Sequence, residues 1–175
     1  KNMVTMSLKD IGNQVLVIGK TEGHIDQSLF ARVILDEKKG PPPEVNLFNE
    51  KNNGETLLSL IEKNYIKSAH DISLGGIITA VSKMCINGNK GIKLNKPKYL
   101  ISEIEYFFGE DQGRYIIEIS PKDSKDVINI LNKNSVHYDE IGTIIEKDII
   151  INQKTKVAID ELRSYNTSWL RKYMA

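Results

Sequence analysis

Residues 110–114 carry the densest group of side chains that could bind a ligand. Two carboxylates, an amide and a guanidinium stand almost side by side, on Glu110, Asp111, Gln112 and Arg114. Carboxylates and amides hydrogen-bond ribose hydroxyls, and a guanidinium can point its fork at a phosphate. The stretch therefore predicts a site for a phosphorylated ribose compound. The alternative is a solvated turn in which Arg114 pairs with Glu110 or Asp111 at the surface, worth ~0 to 1 kcal/mol.

A second candidate is His70-Asp71, which lies where a predicted strand passes into a predicted helix. His70 could act as a base that Asp71 orients, or it could satisfy backbone carbonyls at the end of the strand. Adjacent residues on an extended chain point to opposite faces, so the two do not form a dyad by themselves. This geometry favours the structural role.

Gly75 and Gly76 follow directly, in the predicted first helical turn, where each glycine costs about 1 kcal/mol relative to alanine. One explanation is the close approach of a phosphate to the free amides at the start of the helix. The other is that missing side chains let the helix lie tightly on a sheet. Both explanations remain open from the motif alone.

The helix that follows is the clearest element of the chain. From Leu74 onward its apolar residues have the spacing of one buried helical stripe. We expect Asp71 or Ser73 to cap its start and Gly88 to end it in a left-handed conformation. The stripe consists of Leu74, Ile77, Ile78, Val81, Met84 and Cys85. Cys85 is thereby predicted to be a small buried hydrophobic residue rather than a nucleophile.

The remaining elements follow from apolar runs and turn residues. Strands are predicted at residues 1–11, 15–18, 65–69, 91–94, 114–119, 137–145, 149–152 and 155–157. Helices are predicted from Asp26 or Ser28 to Leu35, over 45–65 with an interruption around residues 52–54, from a capping box at 102–105, from Pro121, and over 159–165. The tail containing Trp169 is expected to pack by its ring or to contact another domain.

The order strand, helix, strand occurs twice, at 66–94 and at 114–145. This is the split pattern of ferredoxin-like sheets. The fold class is therefore α+β, with a mixed sheet and helices packed on it. Residues 1–11 are interpreted as a linker or the remnant of a preceding domain, and residues 12–175 as one domain.

Composition excludes several classes of function. There are 24 basic and 23 acidic residues among 175, a net charge of +1, so neither nucleic acid nor an anionic membrane is an expected partner. No stretch approaches the ~20 apolar residues that span a bilayer. A cytoplasmic location follows by default. The chain begins at Lys1 rather than at a methionine, which suggests a piece of something larger.

No metal site is predicted. His24 has no second histidine or cysteine at ligand spacing, and Asn46 is a neutral, poor ligand for a hard cation.

Ala69-His-Asp-Ile-Ser-x-Gly-Gly, together with Phe108-Gly-Glu-Asp-Gln-Gly-Arg114, resembles the C-terminal domain of the aminoimidazole ribonucleotide (AIR) synthetase-like, or PurM-like, superfamily. Within it, the chain is similar to the last domain of the phosphoribosylformylglycinamidine synthase family. Further motifs carry this similarity nearly from end to end: Gly23-His-Ile-Asp-Gln-Ser28, Gly40-Pro-Pro-Pro-Glu-Val-Asn46 and Trp169-Leu-Arg-Lys-Tyr-Met-Ala175. The family often has aspartate at the position of Leu74, which weakens any claim to metal binding there.

The resemblance implies a PurM C-terminal-domain-like fold and part of an ATP-dependent ligase of purine biosynthesis. The whole enzyme would use ATP and Mg²⁺ to convert formylglycinamide ribonucleotide to the amidine. Its expected partners are the other domains of the same polypeptide, a glutaminase subunit and a small accessory subunit. The resemblance also implies that a Glu-Ser-Gln version of the 110–112 motif binds substrate in a paralogous domain. No catalytic residue is assigned to this chain, which is expected to be inactive alone.

Two alternatives remain. The first is a structural or interaction domain in which residues 110–114 are a degenerate copy and any nucleotide site is vestigial. The second is another member of the superfamily, such as selenophosphate synthetase or thiamine-phosphate kinase. The proline triplet and the carboxyl terminus argue against this second alternative.

Overall fold

A computed structural model of the chain describes residues 3–98 and 101–175, with the side chain of residue 171 left out. The strands of its sheet are β1 (Gln14–Ile18), β2 (Ile66–Asp71), β3 (Gly91–Leu94), β4 (Tyr115–Ile119), β5 (Tyr138–Ile145), β6 (Ile149–Ile151) and β7 (Thr155–Val157). The helices are α1 (Leu29–Val33), α2 (Leu47–Glu62), α3 (Gly76–Gly88), α4 (Glu103–Phe108), α5 (Ser124–Lys133) and α6 (Ile159–Met174).

These strands form one mixed sheet in the order β2-β4-β1-β5-β3-β6-β7. All neighbouring pairs are antiparallel except β3 and β6, which are parallel. β1 is buried on both faces because its side chains alternate between two cores. Val15 and Val17 belong to one core, and Leu16 and Ile18 belong to the other.

The two strand-helix-strand units predicted from the sequence are present as β2-α3-β3 and β4-α5-β5. Both crossovers run toward the same edge of the sheet, but β2 and β4 point in opposite directions. Because such crossovers are right-handed, their helices must lie on opposite faces. Accordingly, Ile77 and Met84 of α3 pack in the core of Val15, whereas Val127 and Leu131 of α5 pack in the core of Leu16.

Most predicted strands and the locally encoded caps are confirmed. Ser28 accepts a hydrogen bond from the amide of Ala31 at the start of α1. In α4 both bonds of the predicted capping box are made, between Ser102 and Glu105. Cys85 is buried in the core beneath α3, as predicted.

The predicted limits of α3 are wrong. Neither Asp71 nor Ser73 caps it: its N-cap is Gly75, at φ 81°, with no side-chain capping bond. Asn89, at φ 51°, is the left-handed residue at its end, because the short polar side chain of asparagine tolerates this region. Leu74 precedes the helix and is 62% exposed, so it does not belong to the buried stripe.

Three other predicted helices have different lengths. The 45–65 region is a single helix, α2, that is uninterrupted at Gly54, since Leu57 and Leu60 bury one face of it. α1 ends at Val33 and buries only Ala31. α6 extends to Met174, well beyond the predicted residue 165.

The strand predicted at residues 1–11 is wrong for residues 3–11; residues 1 and 2 lie outside the described part of the chain. Thr5 makes an isolated bridge to Ser68, and the Leu8 amide donates to the Met84 carbonyl at 3.3 Å. The Leu8 side chain is buried in the core. This segment therefore packs on the same sheet instead of forming a strand.

Gly76→Ala is expected to lower the free energy of unfolding by about 2–3 kcal/mol. Gly76 has φ +67°, and a Cβ there would lie 2.7 Å from the carbonyl oxygens of Phe107 and Gly109.

Gly54→Ala is the matched control. It lies inside α2 with only the Tyr115 hydroxyl near, at 3.6 Å. Urea unfolding should show that the control is stabilised by about 0.5–1 kcal/mol. Equal effects of the two substitutions would contradict the close-approach explanation for Gly76.

The Cys85 thiol is expected to be unreactive in the folded chain. Burial raises its pKa from 9.0 to about 12. At pH 8 its reaction with an aromatic disulfide reagent should be slower than in the unfolded chain by on the order of 100-fold or more. The folded pKa of the thiol lies above the unfolded one. The contribution of the buried thiol to the free energy of unfolding is therefore fully present below pH 9 and is lost as the pH rises toward 12. Native and unfolded chains reacting at the same rate would refute this.

Candidate functional site

An open cleft of about 760 Å³ lies at one end of the sheet. Its walls come from the loop after β1, the start of α2, and the segments that lead into β4 and β5. The acidic side chains that line it are Glu22, Asp26, Glu44, Glu50, Glu105 and Asp111. The basic or titratable nitrogen groups are Lys20, His24 and His137. This balance repels a bare polyanion and favours ligands with hydroxyl, amide or cationic groups.

Arg114 does not present its guanidinium to the cleft. It is 1% exposed, and its nitrogens donate to the carbonyls of Gly109 at 2.7 Å and Asp111 at 3.1 Å. A third bond reaches the Thr21 hydroxyl at 3.0 Å, and the Asp111 carboxylate lies 3.4 Å away. Burial lowers the pKa of Arg114, against the opposing effect of Asp111. The pairing with Asp111 predicted from the sequence exists, but it is buried rather than at the surface.

The two carboxylates of this loop are also bound within the chain. Asp111 accepts hydrogen bonds from the amides of Gly23 and His24, both at 3.1 Å. One oxygen of Glu110 accepts from the amides of Leu29 at 2.7 Å and Gly75 at 2.8 Å. A phosphate near the start of α3 was one of the two explanations for Gly75 and Gly76. The Glu110 carboxylate occupies this place instead.

Gln112 is the member of this group with an exposed side chain, and it lines the cleft with Asp111. Its side-chain nitrogen lies 3.4 Å from the Glu110 carbonyl. The amide can therefore turn toward a ligand at little cost. Of the four predicted side chains, Gln112 is the one with free donor and acceptor capacity toward the cleft.

His70 and Asp71 end β2, where they are paired with Ile116 and Tyr115 of β4. They do not line the cleft. The His70 ring is 10% exposed, and its Nδ1 lies 3.0 Å from Asp71 Oδ1 without hydrogen-bond alignment. The two side-chain atoms approach each other although the residues are adjacent on a strand, but no hydrogen bond joins them into a dyad.

The two predicted stretches nevertheless meet through their backbones. The Ile72 amide donates to the Arg114 carbonyl at 2.9 Å. The Gly75 amide donates to Glu110, and a Cβ on Gly76 would meet the carbonyls of Phe107 and Gly109. Gly76 therefore permits close helix-to-backbone contact, against the end of α4 rather than against the sheet.

His137 and Asp139 were missed. His137 lines the cleft with 43% of its side chain exposed, and its Nε2 lies 3.5 Å from Asp139 Oδ1. Asp139 is buried, and its other oxygen accepts a hydrogen bond from the Tyr106 hydroxyl at 3.0 Å. A buried carboxylate can orient an imidazole toward a ligand in this way. The sequence feature that could have revealed this pair is its i, i+2 spacing in a predicted strand, which puts both side chains on one face.

Among residues 3–98 and 101–175, no group of three or more histidine, cysteine, aspartate or glutamate side chains could hold a metal ion. Within the same ranges, every helix is too short or too polar to cross a membrane.

Comparison with known proteins places the chain in a family. Residues 10–152 match the family described as AIR synthase related protein, C-terminal domain. The chain is 66% identical over 174 residues to phosphoribosylformylglycinamidine synthase subunit PurL from Pelagibacter ubique, covering 99% of this chain and 24% of that protein. It is 34% identical over 172 residues to PurL from Bartonella henselae, covering 98% and 23%. The chain thus spans about a quarter of the length of the curated relatives it matches.

Solved structures agree on the fold. PurL from Thermotoga maritima complexed with FGAR has a TM-score of 0.77 at 21% identity, covering 92% of this chain and 29% of that one. Thiamine-monophosphate kinase from Stenotrophomonas maltophilia has a TM-score of 0.59 at 11% identity, covering 85% and 52%. The mixed α+β sheet is thus that of the PurM-like C-terminal domain, and the chain belongs to the AIR synthase related protein family as a C-terminal domain.

Proposed function

We propose that this chain is the C-terminal domain of a phosphoribosylformylglycinamidine synthase, an ATP-dependent ligase of purine biosynthesis, and that it acts only as part of the longer polypeptide. The observation that supports this most directly is the 66% identity to PurL across 174 residues. In the reaction, the formamide oxygen of the ribonucleotide attacks the γ-phosphorus of ATP and ADP leaves. Ammonia then adds to the activated carbon, and phosphate departs to give the amidine.

The ATP and Mg²⁺ of this reaction are assigned to the other domains. Solved structures of the Thermotoga maritima PurL contain ATP or ADP. In this chain the acidic cleft and the enclosed Arg114 do not fit a triphosphate, and the described residues do not form a metal site. We therefore assign neither ATP nor Mg²⁺ to residues of this chain.

What the chain contributes is one wall of a ligand cleft. We assign direct contact to Gln112, and a positioning role to Glu110, Asp111, Arg114, Gly75 and Gly76, which hold the two loops together. His70 and Asp71 support the adjoining end of β2. The other wall belongs to a neighbouring domain of the same polypeptide. The division between a linker at 1–11 and a domain from residue 12 stays part of this proposal.

The proposed partners are the glutaminase subunit, which supplies ammonia, and the small accessory subunit. A structure of the PurLQS assembly from Thermotoga maritima is consistent with such a complex. A cytoplasmic location is proposed with them, as for a biosynthetic enzyme.

The test is ADP release by the full-length polypeptide supplied with formylglycinamide ribonucleotide, ATP, Mg²⁺ and ammonium. We expect turnover by the full-length protein and none by residues 1–175 alone. Absence of turnover by a folded full-length protein would refute the assignment, and turnover by the isolated chain would refute its dependence on the other domains.

A purely structural domain is the second candidate, and one observation favours it. The carboxylates of Glu110 and Asp111 and the guanidinium of Arg114 are bound inside the chain, as in a degenerate copy of a binding loop. Calorimetry of the ribonucleotide with the full-length protein and with its Gln112→Ala variant separates the two candidates. Weaker binding by the variant excludes the structural one.

Gln112→Ala in the full-length protein is expected to raise KM for the ribonucleotide about 3- to 10-fold with little change in kcat, because one exposed hydrogen-bonding group is lost. Gln27→Ala, whose amide binds the carbonyls of Lys38 and Gly40 outside this loop, is the matched control. An unchanged KM for Gln112→Ala would support the structural candidate.

A further inference from the structure

The contacts that the described side chains of the last helix, α6, make with the domain lie along its first half. Ile159 is buried in the core and Leu162 packs against it. The Arg163 guanidinium bonds Asp160 at 2.6 Å and the Asn89 side chain, at the end of α3, at 2.7 Å. These contacts fix the direction in which the rest of α6 leaves the domain.

The second half carries an aromatic stripe, which we define as Tyr165, Trp169, Leu170, Tyr173 and Met174. The three aromatic residues are spaced four apart, so they lie on one helical face. The stripe continues the face on which Leu162 meets the core. Its five side chains are 52–80% exposed, and the Trp169 and Tyr173 ring centroids are 6.4 Å apart.

An apolar groove of about 350 Å³ reaches α6 at Leu162, one helical turn before the stripe. It runs between α3, α4 and the β6-β7 hairpin, and it is lined by Ile78, Ile104, Phe107, Phe108, Ile151 and Val157, among others. Leu162 thus places the groove on the same face of α6 as the stripe.

The aromatic stripe is large enough to be an interface. A fully exposed aromatic side chain presents roughly 150–250 Å². Three such rings at 59–80% exposure, with Leu170 and Met174, exceed the few hundred Å² that soluble monomers usually expose. They approach the ~800 Å² that one partner contributes to a stable interface.

Two observations indicate what covers the aromatic stripe. The family match ends at residue 152, before α6 begins, so the helix is an addition to the general domain. Yet the match to the Pelagibacter ubique relative extends over 174 of the 175 residues and so includes α6, in a protein about four times as long. The helix thus accompanies the longer polypeptide.

We propose that the aromatic stripe is a docking surface for another domain of the same polypeptide, one that offers an apolar face with a recess for the indole ring of Trp169. A partner in the same chain is present at high effective concentration and covers the stripe permanently. A stripe that stayed open would promote aggregation. The inference depends on the length of the polypeptide and not on its reaction, so it can fail while the proposed function stands.

Hydrogen exchange of the monomeric full-length protein tests it without any substitution. We expect the amides of residues 165–174 to exchange at least ~100-fold more slowly than in a freely exposed helix, as in a buried one. Exchange at the rate of an exposed helix would overturn the proposal. Protection that appears only at concentrations where the protein dimerises, or only when the glutaminase subunit is added, would also overturn it, since the occupant would then be a second copy or another subunit.

A variant pair then identifies the face. Trp169→Glu with Tyr173→Glu should raise exchange across 165–174 in the full-length protein by 10-fold or more. Ser164→Glu with Ser168→Glu adds the same charge on the opposite face of α6 and should change it less than 2-fold. Equal effects of the two pairs would refute a docking role for the stripe.

Discussion

Replacing Arg114 by alanine is expected to lower the free energy of unfolding by about 3–5 kcal/mol, because it removes one member of a buried charged network. The guanidinium is 1% exposed and donates to the carbonyls of Gly109 and Asp111 and to the hydroxyl of Thr21. All three acceptors belong to buried residues, so each loses its donor without ready access to solvent. The Asp111 carboxylate also loses the cation that lies 3.4 Å away.

The measurement is urea unfolding of Arg114→Ala beside two comparisons. Arg32→Ala, on the exposed surface of α1, should change stability by less than about 0.5 kcal/mol. Arg114→Lys keeps the charge but not the planar set of donors, so it should recover less than half of the loss. If lysine restored full stability, the charge alone would matter and the three directed bonds would not.

Elements whose signals are local were predicted well. β1 follows from the β-branched run at 15–18, and the capping box of α4 is complete within residues 102–105. The burial of Cys85 follows from the helical spacing around it. In each case the residues that decide the structure lie within a few positions of one another.

Features that depend on distant contacts were not predicted. The start of α3 was misplaced because its N-cap glycine is held by Glu110, 35 residues away, rather than by Asp71 or Ser73. Gly54 does not interrupt α2, since burial of one helical face outweighs a penalty of about 1 kcal/mol.

The candidate site shows the same division. The sequence indicates the His70 and Gln112 stretches as two candidates, and in the structure they meet. The sequence does not indicate which side chains remain available to contact a ligand. Arg114 is enclosed by Thr21, 93 residues away. Asp139, whose carboxylate lies 3.5 Å from His137, accepts a hydrogen bond from Tyr106, 33 residues away.

Glu118→Ala is the second substitution with a large expected effect. Glu118 is fully buried in β4, and its two oxygens accept four hydrogen bonds. The amides of Lys9 and Asp10 donate at 2.9 and 3.1 Å, Asn13 Nδ2 at 2.7 Å and the Ser68 hydroxyl at 2.7 Å. Without the carboxylate these donors lose their acceptor, and each buried one costs about 1–3 kcal/mol. We expect a total loss of about 4 kcal/mol of unfolding free energy, reduced where water reaches the amides of Lys9 and Asp10.

Because three of the four donors lie in the segment before β1, the effect should be visible there. Amide exchange of residues 8–13 should accelerate in Glu118→Ala while the β1 amides stay protected, provided that the variant remains folded. Glu118→Gln keeps the shape and one carbonyl acceptor, so its loss should be about half as large. Glu140→Ala, which removes an exposed carboxylate from β5, should cost less than about 0.5 kcal/mol. If Glu118→Gln matched the wild type and residues 8–13 stayed protected in Glu118→Ala, the carboxylate would not be what holds this segment to the sheet.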